Sequence, residues 1–223
     1  MLFLDLDGPL LDVSPRYVAL HQALLAGTSV TPMPGPQYWQ RKRAACPEEA
    51  ILAELGVADP APYVRRRLEL IETPNYLTLD RRWPWVRAVL AHMSRVAPLV
   101  LVTARSCRPL LLGQLDRLGL APFFTEVLST PAGGRVDQQK AAIIGESLDR
   151  HDTAPGNCWM VGDTEADVGA GRLAGVRTAA VLSGIRDRER LLRAGPDVLL
   201  DDIRELPLIV STPSAYVASG DPP

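Results

Sequence analysis

The chain has 223 residues, a net charge of −2 at neutral pH, and a charged fraction of 22% beside a hydrophobic fraction of 47%. These values suit one globular domain, or one domain with an insertion, and supply no electrostatic pull toward nucleic acid or an anionic membrane. Cys46, Cys107 and Cys158 form no C-x-x-C pair, which argues against a disulfide framework and a structural zinc and for reduced, mostly buried thiols.

Leu2-Phe3-Leu4 is a short apolar run that stops at Asp5-Leu6-Asp7-Gly8, the pattern of a buried strand entering a polar loop. The first ten residues carry no Lys or Arg, unlike a secretory leader, and no apolar run approaches the roughly 18–20 residues needed to span a bilayer. A cytoplasmic location is the expectation. Ser14-Pro15 supplies an N-cap and a first-turn proline for a helix that Gly27 ends. Thr31–Pro36 is proline-rich and breaks regular structure. Helical spacing then recurs near Gln37–Ala45, Pro47–Leu55 and Ala61–Glu72, so 14–79 reads as helix and loop with no strand.

The rhythm changes from Asp80 onward. A helix through Val86, Leu90 and Met93 leads to the apolar strand Leu99–Thr103, and Ser106 can cap the helix that ends at Gly119. Val127-Leu128, Cys158–Val161, Thr178–Leu182 and Pro196–Leu200 read as further strands, separated by helices over Asp137–Leu148 and Glu165–Ala174. The tail, 211–223, has the Ser/Pro/Ala/Gly composition of a disordered segment. The expected fold is α/β: a Rossmann-like, doubly wound parallel sheet formed by 1–13 and 80–210, with an α-helical insert over 14–79.

In such a sheet the strand ends converge at one rim. Here they would bring together Asp5, Asp7, Thr103, Asp163 and Asp167, with Lys140 on an adjoining helix. So many carboxylates repel one another unless a cation neutralises them, and an all-oxygen donor set favours a hard ion, Mg²⁺. A carboxylate can attack phosphorus and a second can move the proton, while a hydroxyl and an ammonium hold the equatorial oxygens. Each residue also has an ordinary structural use: Asp at a strand end often caps a helix, and a helix lysine is usually solvated. Lys42 and Lys140 are the only lysines in the sequence, all other basic residues being Arg, and a compact ammonium at 140 suits a phosphoryl group.

Taken in order, these motifs resemble the haloacid dehalogenase-like hydrolase superfamily. Leu2–Asp12 matches its opening apolar strand followed by Asp-x-Asp-Gly-x-x-x-Asp, Leu99–Thr103 its second motif, Lys140 its third, and Trp159–Asp167 its fourth, Gly-Asp-x-x-x-Asp. The resemblance spans about residues 1–205 and implies a role for each residue. Asp5 is then the nucleophile and a Mg²⁺ ligand, Asp7 the acid/base and a ligand through its carbonyl, and Asp163 a ligand. Thr103, Ala104 and Lys140 hold the substrate phosphate, and Gly8, Gly162 and Asp167 support the site. The insert looks like the helical cap of the phosphoglycolate-phosphatase-like branch, and Asp7 favours a phosphatase or a phosphomutase over a dehalogenase. Tyr38, Trp39, Arg41, Lys42 and Arg43 are candidates to face the site and bind a second anionic group, though a solvated basic helix face is the commoner use of such residues. Pro9 stands where the family usually has Thr, Lys140 is followed by Ala141 rather than Pro, and Arg105 follows Thr103-Ala104 as a loop residue or an added phosphate contact. The expected function is hydrolysis of a small phosphorylated metabolite through an aspartyl-phosphate, by a monomer or homodimer. The alternatives are a phosphomutase on the same scaffold and a non-catalytic phosphate-binding or regulatory protein.

Overall fold

The computed structural model describes residues 1–210; the segment read as a disordered tail, 211–223, lies outside the described residues. Strand β1 (Leu2–Leu4) sits near the middle of the sheet. Leu2 and Leu4 join one apolar cluster and Phe3 the other, on opposite faces of the sheet. Both faces are covered by helices, which is why the strand reads as a continuous apolar run rather than an alternation. Each such fully buried side chain stabilises the fold by about 1.5–3 kcal/mol.

After β1 the chain passes β2 (Leu11–Asp12) and then α1 (Ser14–Leu25), α2 (Gly35–Arg43), α3 (Glu48–Glu54), α4 (Ala61–Leu70) and α5 (Pro74–Leu77). It returns along β3 (Arg81–Arg82), which pairs antiparallel with β2. Then follow α6 (Val86–Met93), β4 (Leu99–Thr103), α7 (Arg108–Arg117), β5 (Glu126–Ser129), α8 (Val136–Arg150) and β6 (Trp159–Gly162). The remaining elements are α9 (Glu165–Leu173), β7 (Arg177–Val181), α10 (Arg188–Ala194), β8 (Val198–Leu200) and α11 (Leu206–Val210).

The sheet order is β5-β4-β1-β6-β7-β8, and every pairing in it is parallel. From β1 the chain builds outward through β4 and β5, then crosses back to build β6, β7 and β8 on the other side. The loops after β4 and β6 therefore diverge, and a crevice opens beyond the carboxyl end of β1. The α/β, Rossmann-like doubly wound sheet expected from the sequence is the fold observed.

Several local features differ from expectation. The paired two-residue strands β2 and β3 and helices α5 and α10 are too short to carry a readable hydrophobic period. Ser14 is the first residue of α1, and its N–H and hydroxyl both donate to Asp12 Oδ1 at 3.0 and 2.6 Å, so Asp12 organises that turn. Ser106 does not cap α7; its hydroxyl binds Glu72 Oε2 instead. Of the three unpaired cysteines Cys158 is buried, whereas Cys46 and Cys107 are half-buried. No helix among the described residues is long and apolar enough to cross a membrane.

The helical segment α1–α5 has small apolar clusters of its own, around Leu25, Leu52 and Tyr63 and around Met33, Tyr38 and Ile51. Beside them lies a buried polar knot. Glu48 accepts from Tyr38 Oη at 3.0 Å and from Lys42 Nζ at 2.9 Å, and Arg67 stands 3.4 Å away. His21 stacks on Tyr38, accepts the Met33 N–H at Nε2 and contacts Tyr63 Oη through Nδ1 at 2.8 Å. The Met33 bond assigns the proton to Nδ1, and burial lowers the His21 pKa first, so the ring is held neutral.

The carboxyl end of α2 rests on the loop between β7 and α10. Arg43 donates to Gly184 O at 2.6 Å and Leu182 O at 2.9 Å. In return the Lys42, Arg43 and Ala44 carbonyls accept from Arg186, the Asp187 N–H and Arg190. Cationic partners suit the negative end of a helix.

Candidate active site

The crevice holds a cleft of about 270 Å³ lined by Asp5, Asp7, Ala104, Lys140 and Asp163. Its position follows from the topology: Asp5 follows β1, Asp163 follows β6, Ala104 follows β4, and Lys140 reaches in from α8. The open side of the cleft is completed by Tyr17, Glu165 and Arg186.

Lys140 is buried and bridges two carboxylates, with Nζ 2.9 Å from Asp5 Oδ1 and 2.6 Å from Asp167 Oδ1. Burial by itself lowers its pKa, but the Asp167 and Asp5 charges outweigh burial and raise it. Asp5 is 6% exposed. Burial pushes its pKa up to about 7; Lys140 works against that rise, and the Asp167 and Asp7 charges add to it.

Asp167 has a second duty. Its Oδ2 accepts from the Thr164 N–H and hydroxyl at 3.1 and 2.7 Å, while the Asp167 N–H reaches back to Thr164, closing a capping box at the start of α9. The helix is thereby stabilised, and Oδ1 is left aimed at Lys140.

Asp163 is 1% exposed. Its Oδ2 accepts the Ile185 N–H at 2.5 Å, while its Oδ1 is buried with no hydrogen-bond partner among the described residues. Burial first, then the Asp5 and Asp167 charges, raise its pKa well above the ordinary range. Carboxylate oxygens of Asp5, Asp163 and Asp167 lie within 4.8 Å of one another. A buried, unpartnered oxygen beside like charges, with an oxygen-only donor set, fits a hard divalent cation. Asp5 and Asp163 are the members whose oxygens are open to it, since Asp167 is committed to Lys140 and to the helix cap.

Asp7 turns away from Asp5, its side chain 28% exposed. Arg105 grips both of its oxygens, at 2.7 and 3.1 Å, and Arg16 adds a contact at 2.8 Å. Burial favours the neutral acid, but the Arg105 and Arg16 charges overcome it and hold the pKa at about 2. Thr103 is buried at the end of β4, where its Oγ1 accepts the Arg105 N–H at 3.4 Å; Ala104, one residue on, lines the cleft.

Glycines permit this crowding. Gly8 has φ of +97°, and a Cβ on it would lie 2.2 Å from Asp163 Oδ2. A Cβ on Gly162 would lie 2.2 Å from the Asp167 Cγ. The Gly8 carbonyl is pinned by Trp83 Nε1 at 2.9 Å and by the Ser183 hydroxyl at 3.1 Å. Gly8→Ala should lower stability by at least about 1–2 kcal/mol from the backbone alone and displace Asp163 as well. Urea unfolding would register the loss of stability.

Sequence reasoning missed several neighbours. Arg105, expected to sit in a loop or touch phosphate, does follow β4 but points inward, 5% exposed, with its fork used by Asp7 and Asp80. Arg16, Asp80 and Arg186 lie outside every motif, and Glu165 falls on a variable position of the fourth. The α2 candidates for facing the site are elsewhere: Tyr38 and Lys42 bind Glu48, Arg41 binds Glu54, and Arg43 binds backbone carbonyls. Trp39 packs against Tyr17 with ring centroids 5.6 Å apart. None of the five lines the cleft. Arg186 does, tied to Glu165 at 2.8 Å.

Residues 139–206, which hold Lys140, Asp163 and Asp167, match a family model described as HAD-hydrolase-like. The chain is 26% identical over 205 residues to a phosphoglycolate phosphatase of Synechococcus elongatus, covering 91% of this chain and 92% of that one. It is 27% identical over 216 residues to the N-acetylmuramic acid 6-phosphate phosphatase of Pseudomonas aeruginosa, covering 91% and 90%. A haloacid dehalogenase-like family protein from Streptococcus pneumoniae has the same fold, with a TM-score of 0.75 at 21% identity over 93% of this chain and 96% of that one.

Proposed function

Because this chain belongs to the haloacid dehalogenase-like hydrolases and is a phosphoric monoester hydrolase of that superfamily, we propose that it hydrolyses a small phosphorylated metabolite with the help of Mg²⁺, through a phosphoaspartate on Asp5. The observation that carries this reading is the pairing of a buried carboxylate, Asp5, with a buried lysine at 2.9 Å and an unpartnered Asp163 oxygen, all at one cleft.

Asp5, Asp163 and the Asp7 carbonyl would hold the metal. Bound there, Mg²⁺ supplies the charge neutralisation that phosphoryl oxygens need among these carboxylates. Asp5 attacks phosphorus, and its ester oxygen leaves with the alcohol. Lys140 holds Asp5 in line and offsets charge on the equatorial oxygens, with Thr103 and Ala104 at the other side of the phosphate. Asp7 hands a proton to the leaving oxygen and later takes one from water. Held between two arginines it is ionised, the form the second step requires; the approach of phosphate oxygens raises its proton affinity for the first.

The segment 14–79 acts as the cap over this chemistry. Its contribution to the cleft is Tyr17, and its α2 end is anchored beside Arg186, leaving room for a phosphate and a small organic group within about 270 Å³. The phosphoglycolate and N-acetylmuramic acid 6-phosphate named for its relatives bracket the substrate sizes to try.

Phosphate release from a panel of such esters, with Mg²⁺ and then with excess chelator, tests the proposal. Turnover should appear for at least one small ester and vanish on chelation. Asp163→Asn should raise the Mg²⁺ concentration for half-maximal rate by about tenfold or more. A rate indifferent to chelator would remove the metal from the mechanism.

A further inference from the structure

Asp7 belongs to a closed ring of charges that the proposed chemistry does not itself require. Arg105 donates Nη2 to Asp7 Oδ1 at 2.7 Å and Nε to Asp7 Oδ2 at 3.1 Å, and the same Nη2 reaches Asp80 Oδ2 at 2.9 Å. Arg16 completes the ring, 2.8 Å from Asp7 Oδ2 and 3.0 Å from Asp80 Oδ1. Gln114 adds a bond to Asp80 at 2.8 Å, and Arg16 also donates to the Ile71 carbonyl at 3.2 Å. Arg16, Asp80 and Arg105 are 1%, 2% and 5% exposed.

Two arginines and two aspartates cancel in charge, so the ring is complete without a phosphate. Arg105 spends Nε and Nη2 on the carboxylates, its Nη1 is buried with no hydrogen-bond partner among the described residues, and neither arginine lines the cleft. Of the four members, Asp7 alone lines the cleft. A guanidinium gripping both oxygens of a carboxylate fixes its plane as well as its place, which an ammonium cannot do.

We infer that Arg105, backed by Asp80 and Arg16, is a positioning residue that aims the Asp7 carboxylate at the water hydrolysing the phosphoaspartate. The inference rests on Asp5 being the nucleophile. In that step the water oxygen bonds to phosphorus as the bond from phosphorus to the Asp5 oxygen breaks. Its electron pair returns to Asp5 as carboxylate, the water proton passes to Asp7, and inorganic phosphate leaves. Formation of the phosphoaspartate from an ester with a good leaving group needs no proton donor, so a misaimed Asp7 slows the second step and spares the first.

p-Nitrophenyl phosphate with Mg²⁺ in a stopped-flow instrument separates the steps. Arg105→Gln should release about one equivalent of nitrophenolate per folded site in a rapid burst, then turn over about 10²-fold more slowly than wild type. Acid quenching should trap the phosphoprotein. Arg105→Lys, which keeps the charge and loses the fork, should behave the same way and serves if the Gln variant fails to fold. A merely structural role would scale burst and steady rate together. A rate that falls with no burst, or does not fall, in the folded variant overturns the inference. Asp5→Asn run alongside tells the two failures apart: if it still turns over, the nucleophile assignment is at fault; if it is inert while Arg105→Gln shows no burst, the positioning role is.

Discussion

Asp5→Asn should lower turnover of every accepted phosphate ester by about 10⁴-fold or more while leaving the protein folded. The amide keeps the shape of the carboxylate and can still accept from Lys140, but it cannot serve as the attacking anion. Stability should not suffer. Asp5 lies against Asp163 and Asp167 in a buried site, and neutralising it relieves like-charge repulsion while Lys140 keeps its 2.6 Å partner Asp167. Loss of activity with an unchanged or raised unfolding midpoint therefore points to chemistry and not to collapse. Phosphate release and thermal unfolding on the same preparation make the test. A variant that retains the wild-type rate removes Asp5 from the nucleophile's role, and the phosphoaspartate with it.

The sheet was legible because its signals are local and strong. Leu2–Leu4, Leu99–Thr103 and Trp159–Val161 are uninterrupted apolar runs that stop at polar residues, and each is a strand of the observed sheet. The residues that meet at the cleft were legible for the same reason: parallel strands deliver their carboxyl ends to one edge, so Asp5, Ala104 and Asp163 arrive together whatever the loops do. What escaped was whatever depends on long-range partners. Arg16 and Asp80 lie 64 positions apart and are joined through the geometry of the helical segment. Neither has a neighbour in sequence to betray it. The basic run at the end of α2 misled for the converse reason. A helix face tells which residues share a side, but not that Glu48 is buried beneath Lys42 or that backbone carbonyls of the β7–α10 loop await Arg43.

Lys140→Met should reduce activity by about 10²–10³-fold and, in metal-free buffer, stability by on the order of 3–5 kcal/mol. The lysine is 3% exposed and contacts both Asp5 and Asp167. Removing the cation leaves buried carboxylates facing one another, and methionine fills the volume of the stem without meeting either oxygen. A divalent ion bound at Asp5 and Asp163 restores part of the missing positive charge. Mg²⁺ should therefore raise the unfolding temperature of the variant by more than it raises that of the wild type. Activity should not return in proportion, because an ion held by Asp5 and Asp163 would offset the charge on Asp5 without replacing the 2.6 Å contact that Lys140 makes to Asp167. Lys140→Arg should also fail to restore activity: the fork needs more space than a cleft wall with so little exposure provides. Unfolding temperatures against Mg²⁺ concentration for the three proteins decide the matter. Equal Mg²⁺ shifts in wild type and Lys140→Met would mean that ammonium and metal do not share the carboxylates, and the common site for phosphate and ion would have to be given up.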